Sequence, residues 1–185
     1  VGRIRNSGAQ AVVTGNWGPD LTRLVRAMGT ADLNLPLFTY YAALSDTPQT
    51  LTLFPQAQVY VVAAHHSQHG GELGRLMREF KEEHGENWVG VAPHTGLSLL
   101  AKAMQSTGST EPSRVGPVLA GLGLAALTGP VQMRRDDHQL QTGLWLSRWQ
   151  AVTPAADVDL DNNGFAFAPV AFVPAERVAQ PSTCA

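Results

Sequence analysis

Three short apolar, β-branched runs, Ala9–Thr14, Leu37–Tyr41 and Val59–Ala64, do most to limit what this chain can become. Between the first and second, Leu21, Leu24, Val25 and Met28 mark one face of a helix, and Gly29 follows where a helix closes. Strand, helix, strand, loop, strand predicts an α/β fold with parallel pairing, because strands that run the same way need a crossover long enough to hold a helix. The first strand is read as buried. It turns into the helix through Gly15-Asn16-Trp17-Gly18-Pro19, which sets a tryptophan between two glycines with no bulky neighbour to bury it.

The middle of the chain changes period. Leu73, Leu76, Met77 and Phe80 repeat at helical spacing up to Gly85, and Leu97, Leu100, Ala101 and Met104 do so up to Gly108. Ser109-Thr110-Glu111-Pro112 opens a third helix carrying Val115, Val118, Leu119 and Leu122. From Gly129 the chain is strand-like again, and Asn163-Gly164 between two alternating runs is a hairpin signal.

Composition removes several function classes. A formal net charge of −2 leaves no electrostatic footprint for nucleic acid. No stretch of about 18 apolar residues is present to span a bilayer. The single cysteine, Cys184, has no partner for an internal bridge; it is a free thiol or pairs outside this chain.

The polar motifs divide between chemistry and simple structure. His65, His66 and His69 share one loop, but no Cys or Glu stands at zinc-like spacing, and solvated loop histidines fit better than metal ligands. His84 reads as a helix-end residue. Asp157, Asp159 and Asp161 alternate as in a calcium loop, yet two asparagines precede Gly164 and no later Glu completes the shell; the acidic outer face of a hairpin fits better. Arg134 to Gln139, "RRDDHQ", reads as a turn with aspartates and a capping histidine. No G-x-S-x-G, phosphate loop or C-x-x-C pair accompanies them. Asn16-Trp17 and Tyr40-Tyr41 lie where consecutive strands end, the edge at which α/β sheets hold ligands; they form a ligand wall, or Trp17 packs over the sheet edge.

The stretches "SGAQAVVTGNWGPDLTRLVRAMG", "FTYYAAL", "HTGLSLLAKAMQSTGSTEPSRV" and "LTGPVQMRRDDHQLQTGLWLSRW" together resemble the type I periplasmic binding proteins, and more closely the branched-chain-amino-acid-type substrate-binding subunits of ABC transporters. The resemblance runs in order through nearly the whole chain. It implies two α/β lobes, each a parallel sheet flanked by helices, joined by three crossing segments with the ligand between them. By that mapping residues 1–69 belong to the second lobe, 70–135 are returning helices of the first, and 136–185 return to the second. The family's N-terminal half has no counterpart here, so the sequence is expected to be a C-terminal fragment in an incomplete two-lobe arrangement. The helical stripe Leu73, Leu76, Phe80 and Leu97, Leu100, Met104 is then expected to lie uncovered, with self-association or a retained partner fragment as the result.

The resemblance also implies the function. It points to a solute-binding component of an ABC importer that closes its lobes on an amino acid, an amide or a related small metabolite, with no catalysis, cofactor or metal. Its partner is a membrane permease and its location the periplasm. The alternative is a ligand-sensing or regulatory domain on the same fold. Asn16 and Trp17 fall at the turn that carries a cleft-facing aromatic residue in the family. Tyr40 and Tyr41 fall where amino-acid-binding members carry an acidic residue, and this chain has none there. His94 falls near a ligand-contacting position of the first lobe.

Overall fold

A computed structural model describes residues 1–153, 158–159 and 161–182. In chain order it contains α1 (Gly2–Asn6), β1 (Val12–Val13), α2 (Gly18–Thr30), β2 (Leu37–Thr39), α3 (Thr47–Thr52), β3 (Val59–Ala63), α4 (Gly71–His84), α5 (Val91–Thr107), α6 (Pro112–Leu119), β4 (Gly123–Ala126), β5 (Gly129–Met133), β6 (Leu140–Gln141), β7 (Leu144–Ala151), β8 (Phe165–Val173) and α7 (Ala175–Val178). Two compact units divide the chain: Val1–Asn87 with Trp145–Phe172, and Trp88–Leu144 with Val173–Ala185.

The first unit is built on a five-stranded sheet of order β1-β2-β3-β7-β8. Strands β1, β2 and β3 run parallel, as their helical crossover requires, and β7 returns antiparallel to β3. On α2, Leu21, Val25 and Met28 face one way at helical spacing and are buried with Leu37, Val59 and Val61 of the sheet. Trp149 and Phe167, from β7 and β8, complete that core.

Local chemistry explains where this unit departs from expectation. Strand β1 is an edge strand of two residues, not a buried run over Ala9–Thr14: Val12 is half-buried and Val13 is 75% exposed. Only one of its faces meets the core. Helix α2 continues through Gly29 to Thr30, so that glycine does not cap it. Gly29 instead admits Phe54, whose Cδ1 would lie 2.3 Å from a Cβ built there. Helix α3 gave no apolar stripe in the sequence; it forms around Pro48 in its first turn and buries Thr47, Thr50 and Leu51. On α4, Leu73 and Met77 are buried; of the stripe expected to be uncovered, Leu73 is packed, Leu76, Phe80 and Met104 are half-buried, and Leu97 and Leu100 are exposed. Gly85, at φ +70°, ends α4 in the left-handed conformation that glycine adopts without strain.

Asn163-Gly164 is not a two-residue hairpin turn. Residues 152–164 connect β7 to β8, closed at the base by the Val152 amide donating to the Gly164 carbonyl at 3.0 Å. The Asp159 carboxylate accepts from the amides of Asp161 (3.2 Å) and Gly164 (2.7 Å), and the Asn163 side chain accepts from the Phe165 amide. Asp161 accepts from Lys81 at 3.1 Å and Asn87 at 2.9 Å, tying this connection to α4. Asp159 and Asp161 are thus half-buried acceptors, not an exposed acidic face; Asp157 and Cys184 lie outside the described residues.

In the second unit, α5 buries Val91, Thr95, Leu99 and Ala103 and ends at Gly108 with φ +57°. Its other face carries Leu97, 67% exposed, and Leu100. Helix α6 stops at Leu119, two residues past its internal Pro117, so Leu122 lies beyond it. Strands β4, β5 and β6 form an antiparallel sheet in that order. Strand β4, Gly-Leu-Ala-Ala, gave no alternating pattern to read. In the "RRDDHQ" turn Arg134 donates to Asp137 through both Nε (2.8 Å) and Nη2, and the Gln139 amide also donates to Asp137. Those hydrogen bonds, the guanidinium first, hold the Asp137 carboxyl down to about 2. No helix among the described residues is long and apolar enough to cross a membrane.

Candidate functional site

In the first unit the three parallel strands end on one edge of the sheet. Beyond β1 comes Thr14-Gly15-Asn16-Trp17, beyond β2 Tyr40-Tyr41, and beyond β3 the loop from Ala64 to Gly70. Strand β7 begins at the same edge, because its register sets Trp145 opposite Ala63.

Trp17 precedes the first turn of α2 in extended backbone, φ −141°, and Gly18 follows at φ +52°. Glycine adopts that left-handed value without strain, so the chain reverses into the helix while the indole stays outside. Trp17 is 72% exposed and therefore does not pack over the sheet edge. Asn16 is fixed beside it: its amide donates to the Thr14 hydroxyl at 3.1 Å, and that hydroxyl donates to the Asn16 side-chain oxygen at 2.9 Å. Tyr40 and Tyr41 keep 54% and 41% of their surface and meet edge to face at 6.2 Å. The Tyr41 amide donates to Thr39, which is buried in the sheet. Asn16, Trp17, Tyr40 and Tyr41 thus stand at the ends of neighbouring strands. His94 is an exposed residue of α5 in the second unit, edge-on to Trp88 at 6.2 Å.

The histidine loop differs from its expected solvated state. His65, His66 and His69 are all half-buried. The rings of His66 and His69 stack at 4.1 Å, and His66 meets Trp145 edge to face at 4.6 Å. Phe172 of β8 flanks Trp145 at 4.8 Å. Burial, then the neighbouring imidazoles, pushes His66 down to about 4, and burial lowers His65 and His69 as well, so the cluster is neutral near pH 7. The Gln68 amide donates to His66 Nδ1 at 3.1 Å, which leaves the proton of the neutral ring on Nε2. Gln68 is itself held by the Val158 carbonyl at 2.9 Å. His69 Nε2 is buried and has no hydrogen-bond partner among the described residues.

This edge therefore offers flat aromatic surface, neutral donors and no carboxylate among residues 14–17, 39–41 and 63–69. It suits reversible binding of a planar or apolar group. Among the described residues no group of three acidic, histidine or cysteine side chains is placed to hold a metal ion. The sequence missed the contribution of His66, His69 and Trp145, because their meeting depends on the antiparallel return of β7. A separate, largely apolar cavity of about 260 Å³, lined by Val25, Met28, Leu37, Leu53, Phe54 and Val59, lies at the opposite edge, where β2 and β3 begin.

A family model described as "Periplasmic binding protein" matches residues 1–156. Among solved structures, the leucine-, isoleucine-, valine-, threonine- and alanine-binding protein of Brucella ovis superposes with a TM-score of 0.83 at 20% identity, over 97% of this chain and 47% of that one. A solute-binding protein of an ABC transporter from Rhodopseudomonas palustris HaA2, in complex with p-hydroxybenzoic acid, gives 0.72 at 16% identity over 94% and 48%. An amino acid ABC transporter substrate-binding protein from Pseudomonas fluorescens Pf-5 gives 0.69 at 20% identity over 94% and 47%. At these identities the likeness shows the fold, and the chain spans about half the length of each structure. No curated protein sequence matches it.

Proposed function

Because this chain belongs to the periplasmic binding protein family, we propose that it is part of the solute-binding component of an ABC importer. The component works in the periplasm and holds a small metabolite by lobe closure, without catalysis, for delivery to a membrane permease. The observation that carries this reading is the aromatic edge: Trp17, Tyr40 and Tyr41 stay exposed at the carboxyl ends of parallel strands, where α/β sheets hold ligands. Large aromatic side chains left open side by side lose the gain of burial until a partner covers them.

The ligand class is an amino acid or a similar small polar metabolite, the aromatic acids included. Solved structures of the same fold include a protein named for binding leucine, isoleucine, valine, threonine and alanine and another in complex with p-hydroxybenzoic acid. A thermal-shift panel of amino acids, amides and aromatic acids on the full-length protein tests the reading. Stabilisation by at least one compound class, rising with its concentration, is expected. A flat response across the whole panel overturns it.

A further inference from the structure

We propose that the cavity at the opposite edge of the first unit's sheet, where β2 and β3 begin, is a small-molecule site separate from the aromatic edge, and that it takes a compact neutral alcohol or phenol of about ten non-hydrogen atoms. The inference goes beyond the solute-binding reading and does not depend on it.

Three observations carry it. First, the walls are fixed. Gly29 of α2 makes room for Phe54, a lining residue, since a Cβ there would lie 2.3 Å from Phe54 Cδ1. The turn after α3 is closed by the Phe54 amide donating to the Leu51 carbonyl and the Ala57 amide to the Phe54 carbonyl, both at 2.9 Å. The end of α2 is closed by the Leu33 amide donating to the Met28 carbonyl at 2.9 Å. Walls held in this way need little reordering when a ligand enters. Second, the space is the right size. An apolar cavity of roughly 150 Å³ holds benzene, so one of about 260 Å³ has room for roughly ten non-hydrogen atoms. Third, Val25, Met28, Leu37 and Val59 in the lining are buried and apolar, and Leu53 beside them keeps 60% of its surface exposed. An occupant that covers this apolar area gains the free energy of taking it out of water.

The polar lining selects the ligand's charge. It includes Asp32 and Asn34, both exposed, and the half-buried Gln58. Gln58 Nε2 donates to the Asn34 carbonyl at 3.4 Å, and its Oε1 accepts nothing among the described residues. The groups left for a ligand are therefore acceptors, which a hydroxyl can meet by donating. A carboxylate cannot donate, and entering beside Asp32 strips its hydration next to a like charge. A cation gains little, because Arg5 already brings a positive charge to the Ala31 carbonyl beside Asp32, and exposed pairs are weak. Strands β2 and β3 run from this cavity, at Leu37 and Val59, toward Tyr40 and the histidine loop at their other ends, so occupancy here leaves the aromatic edge open.

Methyl NMR on the full-length protein, carbon-13 labelled at its methionine ε-methyl groups, tests this. The probes are phenethyl alcohol and phenylacetate, which share a ring and differ in charge. Met28 lines the cavity and reports locally, its resonance being identified by Met28→Leu. The expected result is a saturable shift of Met28 with phenethyl alcohol, binding of phenylacetate at least tenfold weaker, and no response from Met77 of α4, which is not in the lining. Ala57→Leu fills the space and should abolish the Met28 shift without lowering Tm. Leu53→Ser, at an exposed position that folding does not need, should weaken binding severalfold and decides the matter if Ala57→Leu fails to fold. Trp17→Ala should leave the Met28 response unchanged. No saturable shift, phenylacetate binding at Met28 as tightly as the alcohol, or an unaltered response in folded Ala57→Leu or Leu53→Ser protein would overturn the inference. The solute-binding reading survives each of these, since it is read from the amino-acid, amide and aromatic-acid panel and not from Met28.

Discussion

Trp17 stands largely outside the core of its own unit. Its neighbours Gly15 and Gly18 give it no cover, and 72% of it faces outward. Trp17→Ala in the full-length protein is expected to weaken ligand binding by about 1–3 kcal/mol, the scale of a lost aromatic contact. The melting temperature of the unliganded protein should stay nearly unchanged, and a large drop in that temperature with affinity intact would make Trp17 structural. Gly74 is the opposite case. A Cβ there would lie 1.9 Å from the His69 carbonyl oxygen, a backbone atom that cannot swing aside. Gly74→Ala should cost about 1–3 kcal/mol by overpacking, measured by urea unfolding, and should also disturb the His66–His69 stack. A neutral substitution would mean that the loop shifts freely against α4.

At the scale of elements, the loop between β3 and α4 gives stability a predictable dependence on pH. The folded protein lowers its three imidazoles from their ordinary 6.5, His66 to about 4. The unfolded chain therefore binds protons between pH 6.5 and 4 that the folded loop refuses. Stability is full above about pH 7 and declines as pH falls through that window. Unfolding free energies at pH 7, 5.5 and 4.5 should show this slope, and His66→Gln should flatten it; equal slopes in both proteins would contradict the packed, neutral cluster. The same loop marks what the sequence could reveal. Strands β2 and β3 and helices α2, α4 and α5 were legible because each repeats apolar residues at its own period. The exposed aromatic residues at the strand ends were legible for the same reason, being placed by local order. Strand β4 and helix α3 were not, since Gly-Leu-Ala-Ala and a threonine-rich turn carry no periodic signal. Gly29 and Asn163-Gly164 misled because their roles, admitting Phe54 and closing a long connection, depend on residues far along the chain. His66 against Trp145 was hidden for that reason too.

For the whole molecule, the question is what covers the apolar surface that these 185 residues leave open. Helix α4 buries Leu73 and Met77 and leaves Leu76 and Phe80 half-buried, whereas α5 buries only the side carrying Leu99 and Ala103. Leu97 at 67% and Leu100 at 36% exposure sit one turn apart on its other side. Fully covering a leucine side chain is worth about 1.5–3 kcal/mol, and a helix face that presents two of them is an association surface. The chain also spans only about half the length of the solved structures it resembles. Produced alone, the 185-residue chain is therefore expected to self-associate in sedimentation velocity at micromolar concentration. The double substitution Leu97→Glu and Leu100→Glu should shift it toward monomer without unfolding it, because neither side chain belongs to the buried set of α5. Leu99→Ala, by contrast, removes a buried side chain and should cost about 2–5 kcal/mol while leaving association in place. A clean monomer before any substitution would show that this face needs no cover, and unfolding of the glutamate variant would show that Leu97 and Leu100 support the helix from within.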